Sequence, residues 1–300
     1  MFHRLHKTGA KPLGQGSISD SIFRNIIHKI GPQNIISPSE WMNIKNSEEM
    51  KQSKFCLTFD DGLKSQYEIA SPILDEFNIK AFYFIYTKTF SCSYDKNEIA
   101  NYLITNQYES IELFLTIFKS YLNKFNLKIN KSKFEQYKKK MFSFFPFYSH
   151  NDLEYRYIRN SLLTLKQFDT IIEEIIDKEN LTIKNIANEL WMNENEVKDL
   201  ANKGHEIGLH SHTHPFSMET LNKDEQYKEY NKNFNIIKKI TGIKPKSMSH
   251  PLNSRNKDTI EILKKLKISC GFSSKVNHNN NNNEDIMLNY SRLDACMIAP

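Results

Sequence analysis

Long apolar runs are missing from this chain of 300 residues. No stretch approaches the roughly 20 residues that a membrane-spanning helix needs, so no transmembrane segment is expected. Cysteine is scarce. Cys56, Cys92, Cys270 and Cys296 form no C-x-x-C pair and lie far apart, which fits reduced thiols. Cys56 and Cys270 sit among apolar or small residues and read as core filler. A secretory signal is also lacking at the start, where His3, Arg4, His6 and Lys7 have no apolar segment behind them, so a cytoplasmic location is expected. Neither sign of charge dominates. The net charge of +6 comes from lysines spread along the chain, with a local excess between Lys131 and Lys140. Lysines scattered among asparagines read as a solvated surface, so no nucleic-acid partner is expected, although a modest positive field suits an anionic substrate. Apolar residues at 39% and charged residues at 25% describe a globular protein. A chain of this length can bury one barrel-like core or two smaller ones.

The stretch Phe55-Cys56-Leu57-Thr58-Phe59-Asp60-Asp61-Gly62 carries the most information. A short apolar run closed by a glycine reads as a buried strand, and its C-terminal end delivers Asp60 and Asp61 to a rim of the kind where α/β folds do chemistry. Adjacent carboxylates point in different directions, so one can ligate a cation while the other handles a proton. About 150 residues on lies His210-Ser211-His212-Thr213-His214. A carboxylate with two imidazoles is a mixed oxygen and nitrogen set that suits zinc and related divalent ions, with a position left open for water.

Taken together, these motifs resemble the NodB-homology polysaccharide deacetylases. The first motif of that family is T-F-D-D-G, here Thr58 to Gly62, and the second is H-x-x-x-H, here His210 and His214 behind a Gly204-His205-Glu206-Ile207-Gly208 lead-in. The resemblance implies a distorted parallel (β/α) barrel, a mononuclear metal, and hydrolysis of an acyl group on a sugar. Carried over by position, Asp60 would be the general base, with Asp61, His210 and His214 as ligands of Zn2+ or of another divalent ion such as Co2+, Ni2+ or Mn2+.

Elsewhere the pattern is that of a parallel sheet with an addition. A helix is expected over 16–30, capped by Ser17 or Ser19. The strand into Asp60, a helix near Lys64 to Phe77 and the apolar run Ala81 to Tyr86 form a βαβ unit. Between Cys92 and Asn202 apolar residues recur at helical spacing, for example Ile111, Leu115, Phe118 and Leu122, within lysine- and asparagine-rich surroundings. We read 92–202 as a helical insertion within a single domain spanning 1–300. Its aromatic cluster, Phe142 to Tyr148, packs the insertion or forms a lid or acceptor wall. A helix from Trp191 to Lys203 is expected to end at Gly204, followed by a strand over His205 to Leu209. A further helix is expected near Asp224 to Ile240, and the asparagine run from Asn277 to Glu284 reads as a loop.

Two departures from the family pattern bear on chemistry. No histidine follows His278, so the family's late L-x-H proton donor is lacking, and the third motif, R-x-P-Y-G, is represented only by Ser249-His250-Pro251-Leu252-Asn253. The donor is then His250, His212 or the metal's own water, with His250 favoured. Arg292 and Asp294 resemble a late R-x-D, which implies that Arg292 braces Asp60 and that Asp294 orients a donor. The expected function is removal of an N-acetyl or N-formyl group from a carrier- or nucleotide-linked amino sugar during surface-polysaccharide synthesis. A related amidohydrolase acting on a cyclic imide or ureide and a non-catalytic carbohydrate-binding protein are the alternatives.

Overall fold

A computed structural model describes residues 1–12, 14–44, 54–108, 110–144, 148–274 and 283–298. The described chain forms two compact units. One comprises Met1–Ala10, Gly16–Ser93 and Leu190–Pro300, the other Lys11–Gln15 and Tyr94–Glu189.

Two short parallel strands, β1 (Leu5–His6) and β2 (Ile18–Ser19), open the first unit. Six more form a parallel sheet in chain order: β3 (Thr58–Asp60), β4 (Phe82–Ile85), β5 (Glu206–Leu209), β6 (Ser247–Ser249), β7 (Cys270–Ser273) and β8 (Tyr290–Ser291). Among the described residues twelve α-helices run α1 (Asp20–Ile30), α2 (Pro38–Asn43), α3 (Ser71–Glu76), α4 (Lys96–Tyr102), α5 (Ile111–Ser120), α6 (Lys131–Phe144), α7 (His150–Tyr157), α8 (Leu165–Lys178), α9 (Ile183–Leu190), α10 (Glu194–Asn202), α11 (Lys223–Thr241) and α12 (Lys257–Lys265).

The sheet is a distorted (β/α) barrel in which β3 and β8 are not directly paired. Met1 and Phe2 bridge that seam: Phe2 pairs in parallel with Phe59, and the Met1 carbonyl accepts from Ala295 N at 3.0 Å. Side-chain alternation divides each strand between two environments. Phe59, Tyr83, Ile85, Ile207, Leu209 and Met248 face the large core under α1, α11 and α12. Phe82, Phe84, Cys270 and Phe272 form a second, smaller cluster on the other face. Gly208 belongs to this crowded face, where an added Cβ would lie 2.5 Å from Ser247 Oγ and 2.6 Å from the Phe84 ring.

Most elements follow from local chemistry. Ser19 caps α1 by accepting from Ile22 N, and Phe23, Ile26 and Ile27 are its buried stripe. The expected helix over 64–77 is broken into a π-turn, Gln66–Ala70, and α3, with Pro72 in the first turn of α3. Proline lacks the amide needed to continue the preceding ladder. Asn193 closes a capping box on α10, so that helix starts at Glu194 rather than Trp191, and β5 and α11 lie where the periodicity places them. Among the described residues the regular elements of the second unit are helices, with α5 burying Phe114, Leu115 and Phe118 and α8 burying Phe168, Ile171, Ile172, Ile175 and Ile176. Within the expected aromatic cluster, 145–147 lie outside the described residues, as do 277–282 of the asparagine run; Asn283–Leu288 is a short 3-10 helix.

Candidate metal centre and its carboxylate neighbour

Parallel strands in register bring their C-terminal ends to one rim. Asp60 ends β3, His210 follows β5, Ser249 ends β6 and Arg292 follows β8. The backbone is strained where these strands end. Asp61 (φ 79°), Ser211 (φ 62°), His214 (φ 54°), Leu252 (φ 49°) and Asn253 (φ 60°) all occupy the left-handed region. Non-glycine residues held there store roughly 1–3 kcal/mol each and cluster at functional sites. For Asp61 the left-handed turn, continued by Gly62 at φ 64°, directs its carboxylate away from that of Asp60 and toward the histidines.

Asp61 Oδ1 lies 3.3 Å from His210 Nε2 and 3.6 Å from His214 Nε2. The three donor atoms all fall within 4.8 Å of one another. Tetrahedral ligands on bonds of about 2.1 Å sit roughly 3.4 Å apart, so this spacing fits one divalent ion. The hydrogen bonding fits as well. His210 Nδ1 lies 2.9 Å from the Ser249 carbonyl, which can only accept, so Nδ1 carries the proton and the Nε2 lone pair faces Asp61. Two acceptors set 3.3 Å apart call for a cation between them or for a protonated imidazole. Burial works against a charged His210, but its bond to Asp61 and the neighbouring carboxylates raise its pKa above the ordinary value. Burial likewise opposes ionisation of Asp61, yet the His210 bond and the charges of His3, His214 and His210 hold it well below the usual carboxylate range.

Asp60 is built differently. All five N–H groups of Arg292 are engaged: Nη1 with Asp60 Oδ1 at 2.7 Å and Thr58 Oγ1 at 3.2 Å, Nη2 with Asp60 Oδ2 at 2.7 Å and Ser249 Oγ at 2.8 Å, and Nε with the Ser273 carbonyl at 3.3 Å. Ser249 Oγ in turn donates to Asp60 Oδ2 at 3.0 Å. Both members of the ion pair are buried, Asp60 at 3% and Arg292 at 7% exposure. Burial pushes the Asp60 carboxyl up, but the Arg292 charge and its paired hydrogen bonds outweigh this and hold it far below the carboxylate range. Asp60 is therefore ionised at any working pH, and Oδ1 retains a lone pair for a further donor.

His250 and Asp294 do not join this group. His250 Nε2 donates to the Leu288 carbonyl at 2.8 Å, which leaves Nδ1 unprotonated and, among the described residues, without a hydrogen-bond partner. Burial lowers its pKa to about 3. A neutral imidazole whose N–H is committed to a backbone carbonyl does not suit the donor role expected of it. No hydrogen bond joins it to Asp294, which is half-buried and whose carbonyl accepts from Met297 N. His212, the other histidine considered, has Nδ1 3.0 Å from Thr87 Oγ1, and burial lowers its pKa.

Residues 149–271 match the polysaccharide deacetylase family profile, which takes in His210, His214 and the whole lead-in. Over those residues the chain resembles that family. Its fold agrees with three solved structures. A Streptococcus pyogenes deacetylase, PplD, in complex with acetate is 15% identical at a TM-score of 0.55, covering 98% of this chain and 89% of that one. A de-N-acetylase from Aggregatibacter actinomycetemcomitans is 14% identical at 0.53, covering 97% and 92%. IcaB from Ammonifex degensii is 14% identical at 0.52, covering 97% and 88%. At these identities the likeness is one of fold. No curated protein matches the sequence. Within the family pattern, Ser249 stands where the third motif carries arginine. Its short hydroxyl touches Asp60 and accepts from Arg292, which reaches the carboxylate from β8 across the bridged seam. From sequence, Thr58 and Ser249 stand only as members of the first and third motifs, with no role of their own. For Thr58 parity is a further signal, since it lies two residues before Asp60 on the same face of the strand.

Proposed function

We propose that this protein is a metal-dependent deacylase that removes an N-acetyl or N-formyl group from an amino sugar, carrier- or nucleotide-linked, in surface-polysaccharide synthesis. The observation that carries the proposal is an ionised, arginine-braced Asp60 beside an Asp61, His210 and His214 set whose spacing fits one divalent cation. The acyl class is supported by relatives described as a deacetylase in complex with acetate and as a de-N-acetylase. The described cysteines, Cys56, Cys92 and Cys270, are free, which supports the cytoplasmic location.

In this reading Asp61, His210 and His214 hold the ion, which would supply Lewis acidity toward the acyl carbonyl and lower the pKa of a water from near 16 to roughly 7. Asp60 takes the proton of the attacking water as the carbon–oxygen bond forms. Arg292 and Ser249 fix the direction of its carboxylate, so no rotamer search precedes the transfer. The same pair makes protonated Asp60 a strong acid. A proton taken up there is readily given to the leaving amine as the carbon–nitrogen bond breaks, which provides the donor that neutral His250 does not. Asp294 acts in this account only through the backbone that seats Arg292.

The test is release of acetate and formate, followed by NMR, from a panel of N-acylated nucleotide sugars and sugar oligomers with zinc- or cobalt-loaded protein. Release that requires the metal supports the proposal and identifies the substrate class. No release across the panel from protein shown to hold metal would leave a non-catalytic carbohydrate-binding role.

A further inference from the structure

The segment from His210 to His214 has no regular secondary structure, and two of its residues are in the left-handed region. Something other than a backbone ladder must hold it. Four of its amides go to side chains. His210 N donates to Asn233 Oδ1 at 3.0 Å, His212 N and Thr213 N donate to Glu229 Oε2 at 3.0 and 2.7 Å, and His214 N donates to Ser211 Oγ at 3.1 Å. Thr213 Oγ1 adds a third bond to the same carboxylate, donating to Glu229 Oε1 at 2.9 Å.

Glu229 and Asn233 lie four residues apart on α11 and so share one face of that helix. Asn233 is fully buried, and its amide also donates to the Ile85 carbonyl at 2.9 Å and to Thr87 Oγ1 at 3.2 Å. It thereby ties the end of β4 to the end of β5. The His212 carbonyl completes the link by accepting from Lys88 N at 2.8 Å. None of these bonds touches a donor atom of the candidate metal set.

We infer that Glu229 and Asn233 are positioning residues for the metal centre, holding the strained loop so that His210 and His214 present Nε2 to one point. The inference rests on reading Asp61, His210 and His214 as metal ligands. Glu229 grips the middle of the loop and governs His214; Asn233 grips its root and governs His210. Outer partners that orient ligands are worth roughly 10–100-fold in metal affinity.

The experiment measures Zn2+ affinity by chelator competition and the visible absorption of the Co2+-loaded protein, which reports ligand geometry, for Glu229→Ala, Glu229→Gln and Asn233→Ala. Melting midpoints check folding, and Lys228→Ala serves as an α11 control. Glu229→Ala and Asn233→Ala are expected to weaken Zn2+ by roughly 10–100-fold and to shift the Co2+ bands. Glu229→Gln keeps an oxygen acceptor for the two amides and should restore most of the affinity. Folded Glu229→Ala protein with native affinity and native Co2+ bands overturns the inference. Should Glu229→Ala fail to fold, Glu229→Asp, which withdraws the carboxylate by one methylene, replaces it with the same two outcomes. His214→Ala separates the two levels of the argument. If it too binds Zn2+ natively, the ligand assignment fails, whereas a loss with His214→Ala but none with Glu229→Ala or Glu229→Asp overturns the positioning role alone.

Discussion

Replacing Arg292 by Met removes the positive charge while keeping much of the side-chain bulk, and leaves Asp60 buried with Ser249 as its remaining hydrogen-bond partner. Stripping one member from a buried ion pair costs about 3–5 kcal/mol. At roughly 2–4 °C per kcal/mol for a unit of this size, the melting midpoint near pH 7 should fall by about 6–20 °C. The sign of the pH dependence follows from linkage. In the native protein the Asp60 pKa is depressed, so its contribution is present above the unfolded pKa near 3.9 and is lost as pH falls. In Arg292→Met, burial is opposed only by the Ser249 bond and the His210 and His3 charges and raises the Asp60 pKa, so the folded variant carries a proton that the unfolded chain has released. The stability gap between native and variant therefore widens with pH, by up to about 1.36 kcal/mol per unit, and levels off above the raised pKa. Adding Asp60→Asn to Arg292→Met removes the unpaired charge and should recover most of the loss. Denaturation midpoints of the four proteins of this cycle, measured between pH 4 and pH 8, test the reasoning. A loss in Arg292→Met that is independent of pH and unrelieved by Asp60→Asn would refute it.

Other expectations can be checked with the same preparations. His250 is held neutral by burial, with a pKa near 3 against an ordinary 6.5, so it favours the folded state above pH 6.5 and that advantage declines as pH falls toward 3. His250→Gln should reduce proton uptake on unfolding at pH 5 by close to one proton, measured as the slope of stability against pH; an unchanged slope contradicts the neutral assignment. The same variant should keep the bulk of its turnover, whereas a fall of about 10²-fold or more at neutral pH would restore His250 as the proton donor. Gly208→Ala must push against Ser247 Oγ and the Phe84 ring and should cost about 1–3 kcal/mol in urea unfolding; a neutral result would show that this face is less crowded than described. Asp61→Ala and His214→Ala should abolish stoichiometric zinc binding by calorimetry while leaving the Asp60–Arg292 pair, and hence the acid limb of the stability profile, in place.

Much of the site was legible because two signals coincide. Buried strands ending at Asp60 and at Leu209 follow from short apolar runs closed by polar residues and glycine, and the register of a parallel sheet then places Asp60, Asp61, His210 and His214 on one rim. Arg292 could be paired with Asp60 only through the family pattern, since the two lie 232 positions apart in sequence and the seam is closed by Met1 and Phe2, which no periodicity reveals. Glu229 and Asn233 escaped notice for a different reason. On a helix as polar as α11, an i, i+4 pair of Glu and Asn looks like solvent-facing surface, and only the amides of the 210–214 loop, which donate to side chains, show what they bond. For His250, a histidine beside a proline at a strand end gives no warning that its N–H is bonded to the Leu288 carbonyl.

The most direct test of the central claim pairs two readings on one set of samples, namely bound zinc per chain and acetate released from an N-acetylated amino sugar, for the native protein and for Asp60→Asn. The account predicts one zinc in both proteins and release by the native protein alone, because Asp61, His210 and His214 hold the ion while Asp60 moves the proton. Native turnover by Asp60→Asn, or turnover by protein that holds no metal, would contradict it.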